Sequence, residues 1–404
     1  VEIRMRTSTA AFALTSALLL ATALLFAPAP AGVAAPDAMA GVGLAEAWPG
    51  VEFKEPTCCV SDGSPGFLYV AEQPGRILRI AKWRGQGAVP QPEVWLDLRS
   101  SVVNQQQGGL LGCAFHPQYA TNQRFFVSYL SKGPGGAQAY VLRLSEFTGA
   151  GAACNPTSEK ILFQIAKSRA IHQGGGIAFG PDGMLYVGVG DGGDAVEAAT
   201  AGNTFPSQSP QNPLGKMLRI DVSTPGKAAK AAGNPWETGQ GWMPFIYAYG
   251  LRNPWQFDWD AKGQLWTAEP GTSGPGSREW VTMVKGGGNH GWPYFEGDRP
   301  LAQGSPAPAD VVMPAFVYES GAQAGAAVAG KFYKGNRVPA LAGRFVFLDY
   351  MRGEVYSLDL SSGKGTGWAL IGKVPDCASV GADAQGELYV CSNGSGKIWT
   401  IIAQ

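Results

Sequence analysis

One short unit recurs six times along the chain: a turn, often closed by glycine, followed by a strand of the form xLYV. The copies are SPGFLYVAEQPG from Ser64, NQRFFVSYLSKG from Asn122, PDGMLYVGVGDG from Pro181, AKGQLWTAEPG from Ala261, AGRFVFLDYMRG from Ala342 and AQGELYVCSNGSG from Ala384. Several lead into another strand of the pattern GxIxxI: GRILRI from Gly75, GKMLRI from Gly215, GEVYSL from Gly353 and GKIWTI from Gly396. A repeat of about 60 residues is long enough for a four-stranded sheet with its loops. A closed ring of such sheets covers the strand edges that any one of them leaves open. The expected fold is therefore all-β, a six-bladed β-propeller. A β-sandwich competes, but it does not require the same unit six times. Composition agrees: only 15% of residues are charged, while Gly numbers 57 and Pro 29, which describes a turn-rich, helix-poor chain.

The ends and the charge set further limits. Arg4 and Arg6 precede an apolar run from about Ala10 to Ala27, and the small residues AGVAAPDAMA follow. That is the order of a secretory signal, expected over residues 1–35, with a single propeller domain over 36–404. A membrane anchor is the competing reading, but Pro28 and Pro30 close the run and no basic flank follows. The expectation is an exported protein, periplasmic or secreted, with no membrane span after cleavage. Formal net charge is zero, with no long basic run, which argues against nucleic acid as a partner. Export permits disulfides. Cys377 and Cys391 flank the turn ADAQGE, and antiparallel pairing across it predicts a bridge; the pairing of Cys58, Cys59, Cys113 and Cys154 stays open. No CxxC pair points to zinc or redox chemistry, and no CxxCH site to an attached haem.

The segment IHQGGGIAFGPDGMLYVGVGDGG, from Ile171, carries the clearest chemistry. A hairpin with a PDG turn brings its ends together, so His172 and Asp191 are expected side by side. A histidine held beside a carboxylate, in a chain with only three histidines, is a candidate general base. The bland alternative is a tight hairpin with a capping His and a turn Asp. Other unusual clusters fall at equivalent places in their repeats. They are NQQQGGLLGCAFHPQY from Asn104, YAYGLRNPWQFDWD from Tyr247, AEPGTSGPGSREW from Ala268, KGGGNHGWPYFEG from Lys285 and KFYKGNRVPALAGRFVFLDYMRGEVYSL from Lys331. His116 and His290 stand beside turn residues and are read as structural. The Trp-rich segments are read as blade packing, with stacking of Trp292 on a sugar at the rim as the alternative. The Pro-rich loops 195–213 and 300–311 are expected to shape the rim.

The combination GLLG-AFHP, H-GG-I-FGPDG-LYV--GDGG, LGK-LRIDV, YAYGLRNPW-F and GGNHGWPYFEG resembles the soluble quinoprotein glucose/sorbosone dehydrogenase family, also called aldose sugar dehydrogenases, from about Gly63 to the C-terminus. The resemblance implies a six-bladed propeller with pyrroloquinoline quinone and calcium on one face. It implies cofactor contacts from Gln107, Arg252, Asn253, Lys334 and Arg352, and guanidinium forks suit a tricarboxylate. It implies calcium on main-chain carbonyls of a Gly-Pro loop, best matched by Gly274 and Pro275, with Pro270–Gly271 and Glu269 as the alternative. His172, Asp191 and Arg252 become the catalytic set. The implied reaction oxidises an aldose at its anomeric carbon to a lactone and passes electrons to an external acceptor, a cytochrome or quinone. Two rivals remain: a non-enzymatic extracellular binding propeller and a calcium-dependent lactonase-like propeller.

Overall fold

A run such as LYVGV has no alternation because both faces of its strand are covered. In the computed structural model, which describes residues 35–133, 139–149, 151–193, 205–301, 307–322 and 324–404, every residue of Leu185–Val189 is buried. The expected signal segment lies outside the described residues apart from its last residue, as do parts of the two rim loops.

Each xLYV copy is a strand with antiparallel neighbours on both sides. These strands are Phe67–Glu72, Arg124–Lys132, Leu185–Val189, Leu265–Glu269, Phe345–Asp349 and Leu388–Ser392. The GxIxxI runs form the strand that follows: Arg76–Ala81, Lys216–Asp221, Glu354–Asp359 and Lys397–Ala403. Sheets of four and five strands result, together with one of eight. The eight-stranded sheet is two antiparallel halves joined by the single parallel pair Ala382–Val60. In one of those halves Val42–Glu46 pairs with Lys397–Ala403, so residues from both ends of the sequence share a sheet.

The strand preceding each xLYV strand is the one that meets the next sheet. Pro56–Val60 contacts Leu110–Phe115, which contacts Gly174–Phe179, then Phe257–Trp259, Ala327–Phe332 and Cys377–Ala382, and the last contacts Pro56–Val60 again. A narrow cavity of about 40 Å³ is lined by one or more residues from each of these strands: Cys58, Cys113, Ile177, Phe257, Lys331 and Val380. Between sheets the core is apolar. Leu111, Phe126, Ile177, Leu185 and Leu218 pack in one cluster. Phe126 is fully buried there, and its truncation to alanine should cost about 3–5 kcal/mol.

The expected Cys377–Cys391 bridge is absent. All six cysteines are free thiols. A bulge between Cys377 and Ser379 shifts the register, so Cys377 faces Ser392 and Cys391 faces Ser379. Cys377 then packs with Val374 and Val380, and Cys391 with Cys59 and Ile398, in two different core clusters.

Candidate functional site

The hairpin Gly174–Phe179 and Leu185–Val189 delivers its two ends as the spacing predicts. His172 Nδ1 lies 2.7 Å from Asp191 Oδ1. Asp191 is buried, which alone would push its carboxyl up. The hydrogen bond and charge of His172 and the charge of Arg252 outweigh burial and hold it below the usual carboxylate range. An ionised carboxylate only accepts, so Nδ1 carries a proton, and the neutral ring would leave Nε2 as an acceptor. Two further donors hold the same carboxylate: the Gly193 N–H reaches Oδ1 at 2.8 Å and the Trp292 indole N–H reaches Oδ2 at 2.7 Å.

His172 adopts φ 45°, a left-handed backbone conformation that a side-chain-bearing residue keeps only when its surroundings impose it. Its N–H donates to Gln107 Oε1 at 2.7 Å, and its carbonyl accepts from Lys167 Nζ and from Gly192 N, both at 3.3 Å. Lys167 Nζ also donates to Gly190 O at 3.0 Å, so one ammonium ties both ends of the hairpin. Glycine matters here for close approach. A Cβ on Gly190 would strike the His172 carbonyl and the Asn253 side chain, and one on Gly176 would strike the Trp255 carbonyl. That bareness lets the segment Arg252–Trp255 lie against the hairpin. Asp191 N–H donates to Arg252 O at 2.8 Å, and Asn253 Oδ1 accepts from Gly174 N at 2.9 Å.

Arg252 is the unusual group. It is 7% exposed, yet its guanidinium makes no hydrogen bond or ion pair with any described residue, and its Nε is an orphan donor. Its Cζ sits 5.1 Å above the Trp292 ring. Burial pulls its pKa down, countered at longer range by Asp191, Glu279, Glu269 and Glu296. His172, Arg252, Asn253 and Gln107 all line one cavity of about 320 Å³, at the ends where the first strands of the sheets begin. That volume is at the small end of the range for ligand sites.

Not every expected residue arrives there. Lys334 does not line the cavity. It follows the strand Ala327–Phe332, whose opposite end carries the cavity residues Ala326 and Val328. Seven residues of extended chain put it roughly 20 Å away along the strand. There its ammonium pairs with Asp258 at 3.0 Å. Arg352 follows the cavity residues Tyr350 and Met351 but turns its guanidinium to Glu354 at 3.1 Å. Gly274 and Pro275 also lie off the cavity, whereas Pro270 and Gly271 line it. The Gly274 carbonyl accepts from Ser277 N instead, at 3.3 Å. Glu269 is fully buried behind them and accepts the N–H of Arg252 at 2.7 Å and of Asn253 at 3.2 Å. Burial pushes its carboxyl up to about 8, and its Oε1 has no hydrogen-bond partner. Among the described residues no group of three or more His, Cys, Asp or Glu could hold a metal. Trp292 is no sugar platform: it is 2% exposed. Sequence reasoning missed Lys167 and Glu279. The latter's Oε2 accepts from Gly271 and Ala327 at 3.1 and 2.9 Å, and it stands second in the strand Arg278–Met283.

In this all-β protein the His172–Asp191 pair and a buried cation with no hydrogen-bonded partner among the described residues lie at one cavity. Residues 60–400 match the Glucose / Sorbosone dehydrogenase family, and the chain belongs to it. It is 28% identical to HIPL2 protein of Arabidopsis thaliana over 71% of this chain and 49% of that one. It is 29% identical to Quinoprotein glucose dehydrogenase B of Acinetobacter calcoaceticus over 48% of this chain and 42% of that one. It is 27% identical to the Hedgehog-interacting protein of Mus musculus over 50% of this chain and 29% of that one. The chain spans about half the length of the Arabidopsis relatives it matches. In fold it is similar to the PQQ-bound aldose sugar dehydrogenase from Streptomyces coelicolor, with a TM-score of 0.68 at 22% identity over 92% of this chain and 100% of that one. The apo-form soluble aldose sugar dehydrogenase from Escherichia coli gives a TM-score of 0.71 at 19% identity over 90% and 100%.

Proposed function

We propose that the chain is a six-bladed β-propeller over residues 36–404, exported after loss of its signal, and that it oxidises aldoses with pyrroloquinoline quinone and calcium. The cyclic order of contacts among the first strands, and the narrow cavity they jointly line, support the blade count. No helix among the described residues is long and apolar enough to cross a membrane. The observation that carries the chemistry is Arg252: a buried guanidinium with no hydrogen bond or ion pair among the described residues, beside the His172–Asp191 pair and open to the same cavity. An isolated buried charge is costly, and a carboxylate-bearing ligand relieves it.

The residues fit one carboxylate or quinone oxygen at Arg252, with amides from Gln107 and Asn253 beside it. Calcium would be held by main-chain oxygens of Pro270 and Gly271, with Glu269 behind them, since calcium takes oxygen ligands. Bound quinone supplies the acceptor for the hydride. His172 takes the proton of the sugar's anomeric hydroxyl at Nε2. Asp191 fixes the tautomer and stabilises the imidazolium that forms. Arg252 presents a fixed positive charge to negative charge developing on the ligand. The product would be a lactone, and an external acceptor would be needed to take up the electrons.

A second reading is a binding propeller without catalysis. The likeness to Hedgehog-interacting protein and the pairing of Lys334 and Arg352 with protein carboxylates favour it. Titration of the purified protein with pyrroloquinoline quinone and calcium, followed by absorbance and dye-linked aldose oxidation, decides between them. Saturable binding with turnover supports the enzyme; no binding leaves the binding module.

A further inference from the structure

The indole of Trp292 touches both charged members of the site. Its N–H donates to Asp191 Oδ2 at 2.7 Å, and its ring face lies under Arg252. It is itself held tightly. The Trp292 carbonyl accepts from Ser207 Oγ at 2.9 Å and from Gln208 Nε2 at 2.7 Å, and its N–H donates to Gly250 O at 2.9 Å. The turn carrying Ser207 and Gln208 is anchored in turn by Lys216. This fully buried ammonium donates to the carbonyls of Pro206, Ser207 and Leu214 at 2.9, 2.9 and 2.8 Å. Three carbonyls satisfy all three of its donors. A chain of buried contacts thus runs from Lys216 through the 206–208 turn and Trp292 to Asp191.

We infer that Trp292 is a positioning residue for the His172–Asp191 pair: its indole N–H fixes the carboxylate so that Oδ1 faces His172 Nδ1, while its face steadies Arg252. Oδ1 already accepts from Gly193, so a carboxylate released at Oδ2 can rotate between partners. His172 would then lose its single tautomer, and Nε2 would no longer be kept free to accept a proton. The inference rests on the dehydrogenase reading for its purpose but not for its test.

The test is nitrogen NMR of the histidine rings in quinone-free protein, which is tractable because the chain has three histidines. Wild-type His172 should show a single tautomer protonated at Nδ1, with slow solvent exchange of that proton. Trp292→Phe keeps an aromatic face beneath Arg252 and removes only the donor. It should add the Nε2-protonated form and speed exchange about tenfold, the worth of one charge-assisted hydrogen bond. An unchanged tautomer and exchange rate in a folded Trp292→Phe protein overturns the inference. Should that variant not fold, Asp191→Asn provides the complementary reading: one indole N–H signal should move upfield as its acceptor loses charge, and no movement overturns the inference equally. Because neither measurement uses quinone, a tautomer change without quinone binding sinks the dehydrogenase reading and leaves the positioning role standing.

Discussion

The two ends of the same strands differ in how one buried cation, Arg252, is held. At the end away from the large cavity every basic group named has a carboxylate. Lys334 pairs with Asp258 at 3.0 Å, Arg337 with Glu387 at 3.4 Å and Lys82 with Asp383 at 2.9 Å. Glu387 is further held by Tyr333 at 2.7 Å. At the cavity end Arg252 is more deeply buried than any of these cations, and it has no hydrogen-bonded partner among the described residues. Paired charges at one end close the fold, whereas the unpaired Arg252 is where the proposed ligand would supply the partner. The family resemblance grouped Lys334 with Arg252 as cofactor contacts; the structure puts Arg252 at the cavity and Lys334 beside Asp258.

The largest expected effect tests the cavity end. His172→Gln should slow quinone reduction by about 10²–10⁴-fold in rapid mixing, with little change in quinone affinity. A wild-type rate would remove the general base from the account. Next, Arg252→Ala should weaken quinone binding by about 10²–10³-fold, as loss of a buried charge partner does. In the ligand-free protein Arg252→Met should leave thermal stability unchanged or raise it, because an uncompensated buried charge disappears. A large drop in melting temperature would mean that Arg252 is structural like Lys334.

The third effect is in stability against pH. Burial holds His290 neutral, its pKa down from 6.5 to about 4. Between those values the unfolded chain binds a proton that the folded chain refuses. Stability from this group is therefore intact above about pH 6.5 and falls as pH drops toward 4, by about 3 kcal/mol in all. Denaturant titrations of His290→Gln should show a shallower acid slope over that window; an equal slope would refute the assignment. Smallest of all, Lys334→Ala should leave quinone binding as it is and cost about 0–1 kcal/mol of stability, since the ammonium is half exposed. A change in quinone affinity would restore Lys334 to the site.

Much of the architecture was readable because its signals are local. Turn glycines, the xLYV strands and the PDG hairpin depend on residues adjacent in sequence, and all six copies became strands with neighbours on both sides. The meeting of His172 with Asp191 follows from a single hairpin and needed nothing more distant. Other matters were decided across the molecule. One bulge moved Cys377 and Cys391 into separate clusters, because a one-residue slip turns side chains to the opposite face. Which end of a strand Lys334 occupies, and which carbonyls of the loop after Glu269 reach the cavity, depend on how the sheets assemble. Trp292 is the sharpest case. In sequence it stands 101 residues from Asp191, in a motif that reads as a rim turn. Only the assembled sheets bury the ring and bring its N–H to that carboxylate, because the contact joins segments that no local pattern links.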